Sequence, residues 1–133
     1  MNLAVACVPA TFLLTYAARI PVAMGQAQLP GGYDNRTPRV AQAKLEGLPA
    51  RANGAHQNGF EAFTAFAAAI ALAQGVGMST APLVTVLALT HLLARVAYTV
   101  AYLADWPTFR SLVWFLGFLA TLGIFGQALA HAA

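Results

Sequence analysis

Charged residues are scarce in this chain. Of its 133 residues only 8 % are Asp, Glu, Lys or Arg, whereas 59 % are hydrophobic and the mean hydropathy is +0.66. Soluble domains carry about a quarter charged residues, and so short a chain could not bury this much apolar surface in a core of its own. The composition therefore excludes an ordinary soluble domain and indicates a membrane protein.

Cysteine is nearly absent too. Cys7 is the only cysteine and lies in an apolar run, which excludes a disulfide framework and a thiolate metal cluster. We expect a small core residue there and no metal in the protein. Basic residues do not alternate with stacking aromatics, so we expect no nucleic-acid partner.

Four apolar runs occupy most of the sequence, and each is near the ~20 residues that cross a bilayer as a helix. They cover Asn2–Gly25, Gly59–Val76, Pro82–Ala104 and Ser111–Ala130. The first lacks the basic leader and small-residue cleavage site of a secretory signal, so we expect a retained helix. The predicted fold is all-α, an integral membrane four-helix bundle in a single domain, 1–133. Its predicted helices span about 2–25, 49–76, 82–104 and 110–131, with a loop at about 26–48.

The basic residues outside these runs predict the orientation. Four of them belong to the first loop and its continuation, namely Arg36, Arg39, Lys44 and Arg51, and Arg110 belongs to the third loop. The second loop and both tails have no Lys or Arg. By the positive-inside rule both termini face outward, and loops 1 and 3 face the cytoplasm. Within loop 1, Thr37 and Pro38 are typical of the start of a short helix that ends at Gly47.

Polar side chains fall on one face of each of the two middle helices. On the second helix, Arg51, Asn58 and Glu61 lie within an arc of about 80°. On the third, the spacing keeps four residues within about 60° of one another; they are His91, Arg95, Tyr98 and Tyr102. The two stripes together predict a binding cleft that opens toward the cytoplasm.

Glu61 and Arg95 both lie roughly 20 Å from the outer face, counted along their helices. Because an arginine within a span costs at least ~2.5 kcal/mol without a partner, the two residues can meet as a buried ion pair. That pair could equally serve only to fix helix register, and Tyr98 and Tyr102 could be interfacial anchors. His91, with no second metal ligand at a suitable spacing, is interpreted as a hydrogen-bonded core histidine.

The segment Arg51-Ala-Asn-Gly-Ala-His-Gln-Asn-Gly-Phe-Glu61, followed by Arg95-Val-Ala-Tyr-Thr-Val-Ala-Tyr102, resembles the MAPEG family, the membrane-associated proteins in eicosanoid and glutathione metabolism. The loop segment 33–39 further resembles a bacterial inner-membrane branch of that family. The resemblance implies a homotrimer of four-helix subunits. Glutathione would be the cosubstrate, bound at subunit interfaces near the cytoplasmic side.

The resemblance also implies roles for individual residues. Asn58 and Glu61 would hold the amine and carboxylate region of glutathione, and Arg110 would stabilise the thiolate as the catalytic residue. The full set implied to bind glutathione is Arg51, His56, Asn58, Glu61, Arg95, Tyr98 and Tyr102. Two positions depart from the family pattern, because many catalytic members have an arginine where Gly54 stands and a tyrosine where Ala62 stands.

The leading hypothesis, which the resemblance implies, is a glutathione-dependent membrane enzyme that conjugates or reduces hydrophobic electrophiles. The second substrate would arrive through the lipid. Arg110 would then point into the cleft. A non-catalytic scaffold of the same fold would instead have a filled cleft. A binder of another anionic thiol or of a lipid head group would have a basic cleft with no group to stabilise a thiolate.

Overall fold

The computed structural model describes residues 2–132, a range that forms helices and turns with no strand. Six helices follow one another: α1 Leu3–Ala17, α2 Arg19–Ala27, α3 Pro38–Ala43, α4 Gly47–Gly75, α5 Pro82–Leu103 and α6 Pro107–Ala132. Three segments of this range are long and apolar enough to cross a membrane, namely Leu3–Ala27, Pro82–Leu103 and Pro107–Ala132. α4 is long enough but less apolar, so the fourth span stays a prediction.

The first predicted helix is two helices, α1 and α2, that meet at Ala18. α1 continues through Pro9 without interruption. The break comes instead before Pro21, whose ring would clash with the carbonyl of Ala17, four residues earlier, and which has no N–H to donate to it. Ala17 is accordingly the last residue of α1.

The loop before α3 corrects the predicted helix cap. Pro38 does occupy the first turn of α3, but the Thr37 side chain makes no capping hydrogen bond. Its hydroxyl instead donates to Asp34 Oδ2 at 2.7 Å, and the Arg36 N–H donates to Asp34 Oδ1 at 2.7 Å. These bonds, that from Thr37 above all, hold the pKa of Asp34 below its ordinary value.

α4 begins at Gly47, two residues before the predicted start at Pro49, and α3 ends at Ala43 rather than at the predicted Gly47. Gly47 has φ +58°, a left-handed conformation that glycine tolerates. With 29 residues α4 is about 43 Å long. It ends in a Schellman motif, with Gly77 at φ +77° and the Met78 N–H donating to Ala73 O at 2.7 Å. α5 and α6 then each begin with a proline in the first turn.

The bundle is held together by small side chains. α5 and α6 share the most extensive helix contact, and α4 packs on α1, α5 and α6. The main core cluster consists of Ala4, Cys7, Phe66, Ala69, Ile70, Ala73, Val84, Ala88, Ile124 and Ala128. Alanine at so many of these positions lets the helix backbones approach closely. Cys7 is a free, buried thiol among them, as expected for a small core residue.

Candidate functional site

A cleft of about 210 Å³ opens between α4, α5 and α6, at the end of the bundle where α5 turns into α6. We call it the polar cleft. It is lined by Asn58, Tyr98, Tyr102, Arg110, Ser111 and Trp114. Asn58 of the first polar stripe meets Tyr98 and Tyr102 of the second there, together with Arg110. The other stripe residues do not line this cleft; they are Arg51, Glu61, His91 and Arg95. Arg110, in the first turns of α6, lies on its wall.

Asn58 links the two charged residues that were expected to pair directly. Arg95 is 3 % exposed, and its Nη2 donates to Asn58 Oδ1 at 3.1 Å. The Asn58 Nδ2 in turn donates to Glu61 Oε2 at 3.0 Å. The predicted ion pair between Arg95 and Glu61 is therefore wrong. An amide both accepts and donates, so Asn58 can satisfy the guanidinium and the carboxylate together from one turn away on α4.

Two arginines flank two tyrosines along the cleft, an arrangement we call the Arg–Tyr stack. The guanidinium carbon of Arg95 lies 4.1 Å from the ring centroid of Tyr98, and that of Arg110 lies 4.4 Å from the centroid of Tyr102. The two rings meet edge to face, with centroids 5.6 Å apart. Both cations are thus within the ~6 Å at which a ring face attracts a cation.

Arg51 does not line the polar cleft. Its Nε donates to the Leu103 carbonyl at 3.1 Å, and its Nη1 lies 4.0 Å from Asp105 Oδ2. The latter is the one ion pair among residues 2–132. Leu103 is the last residue of α5, whose final carbonyls have no partner within the helix. In the single chain Arg51 therefore caps α5.

His56 faces a different cavity, on another side of α4. Its Nδ1–H donates to the Thr15 carbonyl at 2.8 Å. The second cavity, of about 520 Å³, is lined by Arg19, Tyr33, Pro38, Arg39, Gln42, Asn53, His56, Gln57 and Phe60. No acidic residue is in this set. Arg19 and Arg39 were not predicted as site residues, although an arginine inside the first apolar run was a signal that could have pointed to Arg19.

His91 is a buried, hydrogen-bonded histidine, as the sequence indicated. Its Nδ1 lies 3.2 Å from the Gly117 carbonyl and 3.0 Å from Thr121 Oγ1, and its ring stacks on Phe66 at 4.0 Å. It also lines an apolar cavity of about 240 Å³ between α4, α5 and α6. Asn58 and Trp114 line both this apolar cavity and the polar cleft, so the two are neighbours.

The two departures from the family pattern have distinct surroundings. Ala62 lies on the wall of the apolar cavity, where a larger side chain would reduce the open volume. Gly54 lies against the end of the Tyr102 side chain, which comes within overlapping distance of any Cβ added at position 54. The expected arginine would thus meet Tyr102 where this chain has only backbone.

Apolar membrane-length helices, a helical bundle and a polar cleft at one end of it define the class, an integral membrane protein. The family model of the MAPEG family matches residues 3–130, and the chain belongs to this family. It is therefore a membrane protein of the kind that takes part in glutathione and eicosanoid metabolism. No curated protein and no solved structure matches the chain at a significant level.

Proposed function

We propose that this protein is a glutathione-dependent membrane enzyme of the transferase or peroxidase type that acts on hydrophobic electrophiles. The observation that carries the proposal is the placement of Arg110, whose guanidinium lies over Tyr102 on the wall of the open polar cleft. A free thiol has a pKa of about 8.5, and a nearby cation favours its thiolate. Arg110 would supply that cation.

The polar network beside Arg110 suits the charged ends of glutathione. Glu61 is exposed in the single chain, although a carboxylate at this depth of a membrane helix is costly without a partner. The ammonium group of glutathione would neutralise it. Asn58 and Arg95, already joined by a hydrogen bond, would contact the adjoining carboxylate, and the hydroxyls of Tyr98 and Tyr102 would contact the same ligand.

The chemistry then needs no metal or further cofactor. The thiol proton passes to water at the open end of the cleft, and the thiolate sulfur attacks the electrophilic carbon. A C–S bond forms while the leaving group departs with the electron pair of the broken bond. With a hydroperoxide, the sulfur attacks the distal oxygen, the O–O bond breaks, and the alkoxide leaves and takes a proton from water to become the alcohol. A second glutathione then converts the sulfenic acid to disulfide and water.

The electrophile would occupy the apolar cavity beside the cleft. Its walls are mainly apolar, which favours apolar ligands, and Glu61 and Arg95 of the proposed glutathione site line it as well. The apolar side chains include Ala62, Ala65, Phe118, Leu122 and Phe125. A hydrophobic molecule that partitions into the bilayer would enter the cavity from the lipid. The scaffold alternative is less well supported, because it expects a filled cleft, whereas the cleft and the adjoining cavity are open.

The homotrimer, with glutathione at its subunit interfaces, is also part of the proposal. Beyond Leu48, the exposed residues of α4 are small or polar, namely Gln57, Glu61, Thr64, Ala65, Ala68, Ala71, Gln74 and Gly75. Such a face suits another protein surface better than lipid. The polar cleft of one subunit would then face His56 and the basic second cavity of its neighbour.

A second candidate function, the binding of another anionic thiol or a lipid head group, has one observation in its favour. The second cavity contains Arg19 and Arg39 and no acidic lining residue, so it suits an anion regardless of whether a thiol is attached. Titration with S-methylglutathione, which lacks a free thiol, separates the candidates. An enzyme would bind both compounds, and glutathione alone would give thiolate absorbance. A simple anion binder would give no thiolate absorbance with either compound.

For localisation we propose an integral protein of a bacterial inner membrane, with both termini outside and the loops that contain α3 and the α5–α6 turn in the cytoplasm. The concentration of basic residues at that end supports the orientation. Single cysteines introduced at Thr108 and at Thr80, in a Cys7→Ala background, test it with a membrane-impermeant maleimide. The reagent should label only the Thr80→Cys variant in intact cells.

Calorimetry of glutathione with detergent-purified protein tests the enzymatic proposal. The matched variants are Asn58→Ala, which removes the link between Arg95 and Glu61, and Asn35→Ala in the exposed loop. Binding that is weakened about tenfold or more in Asn58→Ala and kept in Asn35→Ala would support the site, since a hydrogen bond to a charged group contributes about 1.5–3 kcal/mol. No binding by the intact protein would sink the glutathione assignment.

A further inference from the structure

The tip of Tyr102 lies directly against the backbone of α4 at Gly54. A Cβ added at this glycine would overlap the Tyr102 hydroxyl and would lie 2.8 Å from Cζ and 3.2 Å from Cε1. Non-bonded carbon atoms prefer about 3.5–4.0 Å. The missing side chain at position 54 therefore creates the space that the end of Tyr102 fills.

Arg110 depends on the same ring. Its guanidinium carbon lies 4.4 Å from the Tyr102 centroid, while Tyr98 meets the ring edge to face. The face of Tyr102 is thus the surface on which Arg110 rests, and the tip of Tyr102 rests on Gly54. A chain of contacts leads from the α4 backbone to the cation on the wall of the polar cleft.

Tyr102 has little freedom to move away without changing the cleft. Tyr98 borders its ring on one side and Arg110 covers one face. Tyr102 itself lines the cleft, so a side chain pushed off Gly54 swings into the open volume. That swing would also take the ring face from beneath Arg110, since cation–π attraction requires the cation over the ring within ~6 Å.

We propose that Gly54 is a positioning residue, which lets Tyr102 lie against α4 and thereby holds Arg110 beside the place of the thiol sulfur. The inference rests on the proposed function for its thiol. It gives the departure from the family pattern a structural role. This chain lacks a cationic side chain at position 54 and has Tyr102 packed against the backbone there. The cation of the cleft is Arg110 of α6.

The test compares Gly54→Ala with Gly126→Ala, an exposed glycine within helix α6 at which an added Cβ meets no atom within 4 Å. The first measurement needs no glutathione: the rate at which phenylglyoxal modifies Arg110, followed by peptide mass spectrometry. The second is the thiolate absorbance of bound glutathione at neutral pH. We expect Gly54→Ala to speed the modification several-fold and to lower the bound thiolate fraction several-fold, and Gly126→Ala to change neither.

A partial return of both signals in the double variant Gly54→Ala/Tyr102→Phe, which removes the hydroxyl nearest the new Cβ, would support the contact chain. Unchanged Arg110 reactivity in a folded Gly54→Ala protein would overturn the inference. Should that variant not fold, Tyr102→Leu removes the ring with Gly54 intact, and unchanged Arg110 reactivity there would overturn it equally. Failure of the intact protein to bind glutathione would refute the proposed function instead, since the Arg110 reactivity does not depend on it.

Discussion

Arg95 and Arg110 have tyrosine rings and an amide as neighbours rather than carboxylates. A cation paired with a carboxylate is largely neutralised, whereas a cation over a ring keeps its full charge for a ligand. The Arg–Tyr stack thus holds two positive groups in place: the buried Arg95 inside the bundle and the partly exposed Arg110 on the wall of the polar cleft, where it can attract an anion. This is the property that a thiolate site requires.

Replacement of Arg110 by lysine tests whether the planar guanidinium stacked on the Tyr102 ring is needed, or only its positive charge. Lysine keeps the charge but is a flexible point charge that stacks less well on a ring. We expect Arg110→Lys to lower the bound thiolate fraction and the rate with 1-chloro-2,4-dinitrobenzene about tenfold, equivalent to ~1.4 kcal/mol, with a glutathione Kd within threefold. The same exchange at the exposed Arg36 is the control. A full rate in Arg110→Lys would remove Arg110 from the catalytic role.

Asp34 gives the loop before α3 a pH dependence. Its carboxylate accepts hydrogen bonds from Thr37 and Arg36, so its pKa is lowered in the folded protein. The stabilisation is therefore complete above the unfolded value, about 3.9, and is lost as pH falls through the lower folded value. Amide hydrogen exchange at Arg36 should accelerate on acidification, beyond the intrinsic change. The Asp34→Asn variant should lack that step, and a step that persists in the variant would contradict the assignment.

Residue-level contacts were only partly readable from the sequence. Helical spacing and depth bring Asn58, Tyr98 and Tyr102 to one cleft, and they do line it. Counting residues along each helix could not show that Asn58 would stand between Arg95 and Glu61. Asn58 and Glu61 are one helical turn, about 5.4 Å, apart, and such a count does not show which of two side chains so close together contacts the guanidinium. The position of His56 at another cavity likewise depends on where α1 packs, because His56 bonds to Thr15 of α1. Residue spacing along α4 does not predict that packing.

The C-terminal carbonyls of α5 are satisfied by two separate devices, a backbone motif and an arginine side chain. Asp105 has a left-handed backbone, φ +61°, and the Trp106 N–H donates to Ala101 O at 2.9 Å, which closes a Schellman motif. Arg51 of α4 then covers the remaining Leu103 carbonyl. A cation at a helix C-terminus also meets the negative end of the helix dipole. This cap joins α4 to α5 beside the cleft.

Loss of that cap should affect stability before it affects the ligand. We expect Arg51→Ala to reduce the free energy of unfolding by about 1 kcal/mol, since the side chain is partly exposed and the Asp105 contact is weak. Thermal unfolding in detergent measures it, with Arg36→Ala as control. Unchanged stability together with lost glutathione binding would show that Arg51 turns from Leu103 to the ligand, as the family resemblance implies.

Helix starts were easier to predict than helix breaks. Pro38 and Pro82 each occupy the first turn of a helix that was predicted to begin there, where the missing N–H has no cost. Pro107 also occupies a first turn, although α6 was predicted to begin only at about 110. The break at Ala18 was not predicted, because a proline inside a membrane helix is tolerated when neighbouring groups satisfy the freed carbonyls. α1 passes through Pro9 but ends before Pro21. The sequence around each proline does not distinguish these two cases.

Across the whole molecule, large apolar side chains are distributed unevenly. They are exposed along α1, α5 and α6, for example Leu13, Leu93 and Leu112, whereas α4 exposes only Leu48. Lipid would contact the former surfaces. A face of alanine, glycine and short polar residues gains little from lipid but packs closely against another helix. The polar cleft and the second cavity each include residues of α4, so in the proposed homotrimer both would lie near a subunit contact.

A tryptophan at Ala68 tests the proposed homotrimer. The exposed side chains one turn from Ala68 on α4 are small, namely Thr64, Ala65 and Ala71, and a large ring would keep two copies apart. We expect Ala68→Trp to convert the protein from trimer to monomer in native mass spectrometry and to abolish glutathione binding along with it. Leu93→Trp, at an α5 side chain that is 67 % exposed, is the matched control and should leave both unchanged. A trimer that tolerates Ala68→Trp but not Leu93→Trp would move the subunit contact to α5, and glutathione would then have to bind within one chain.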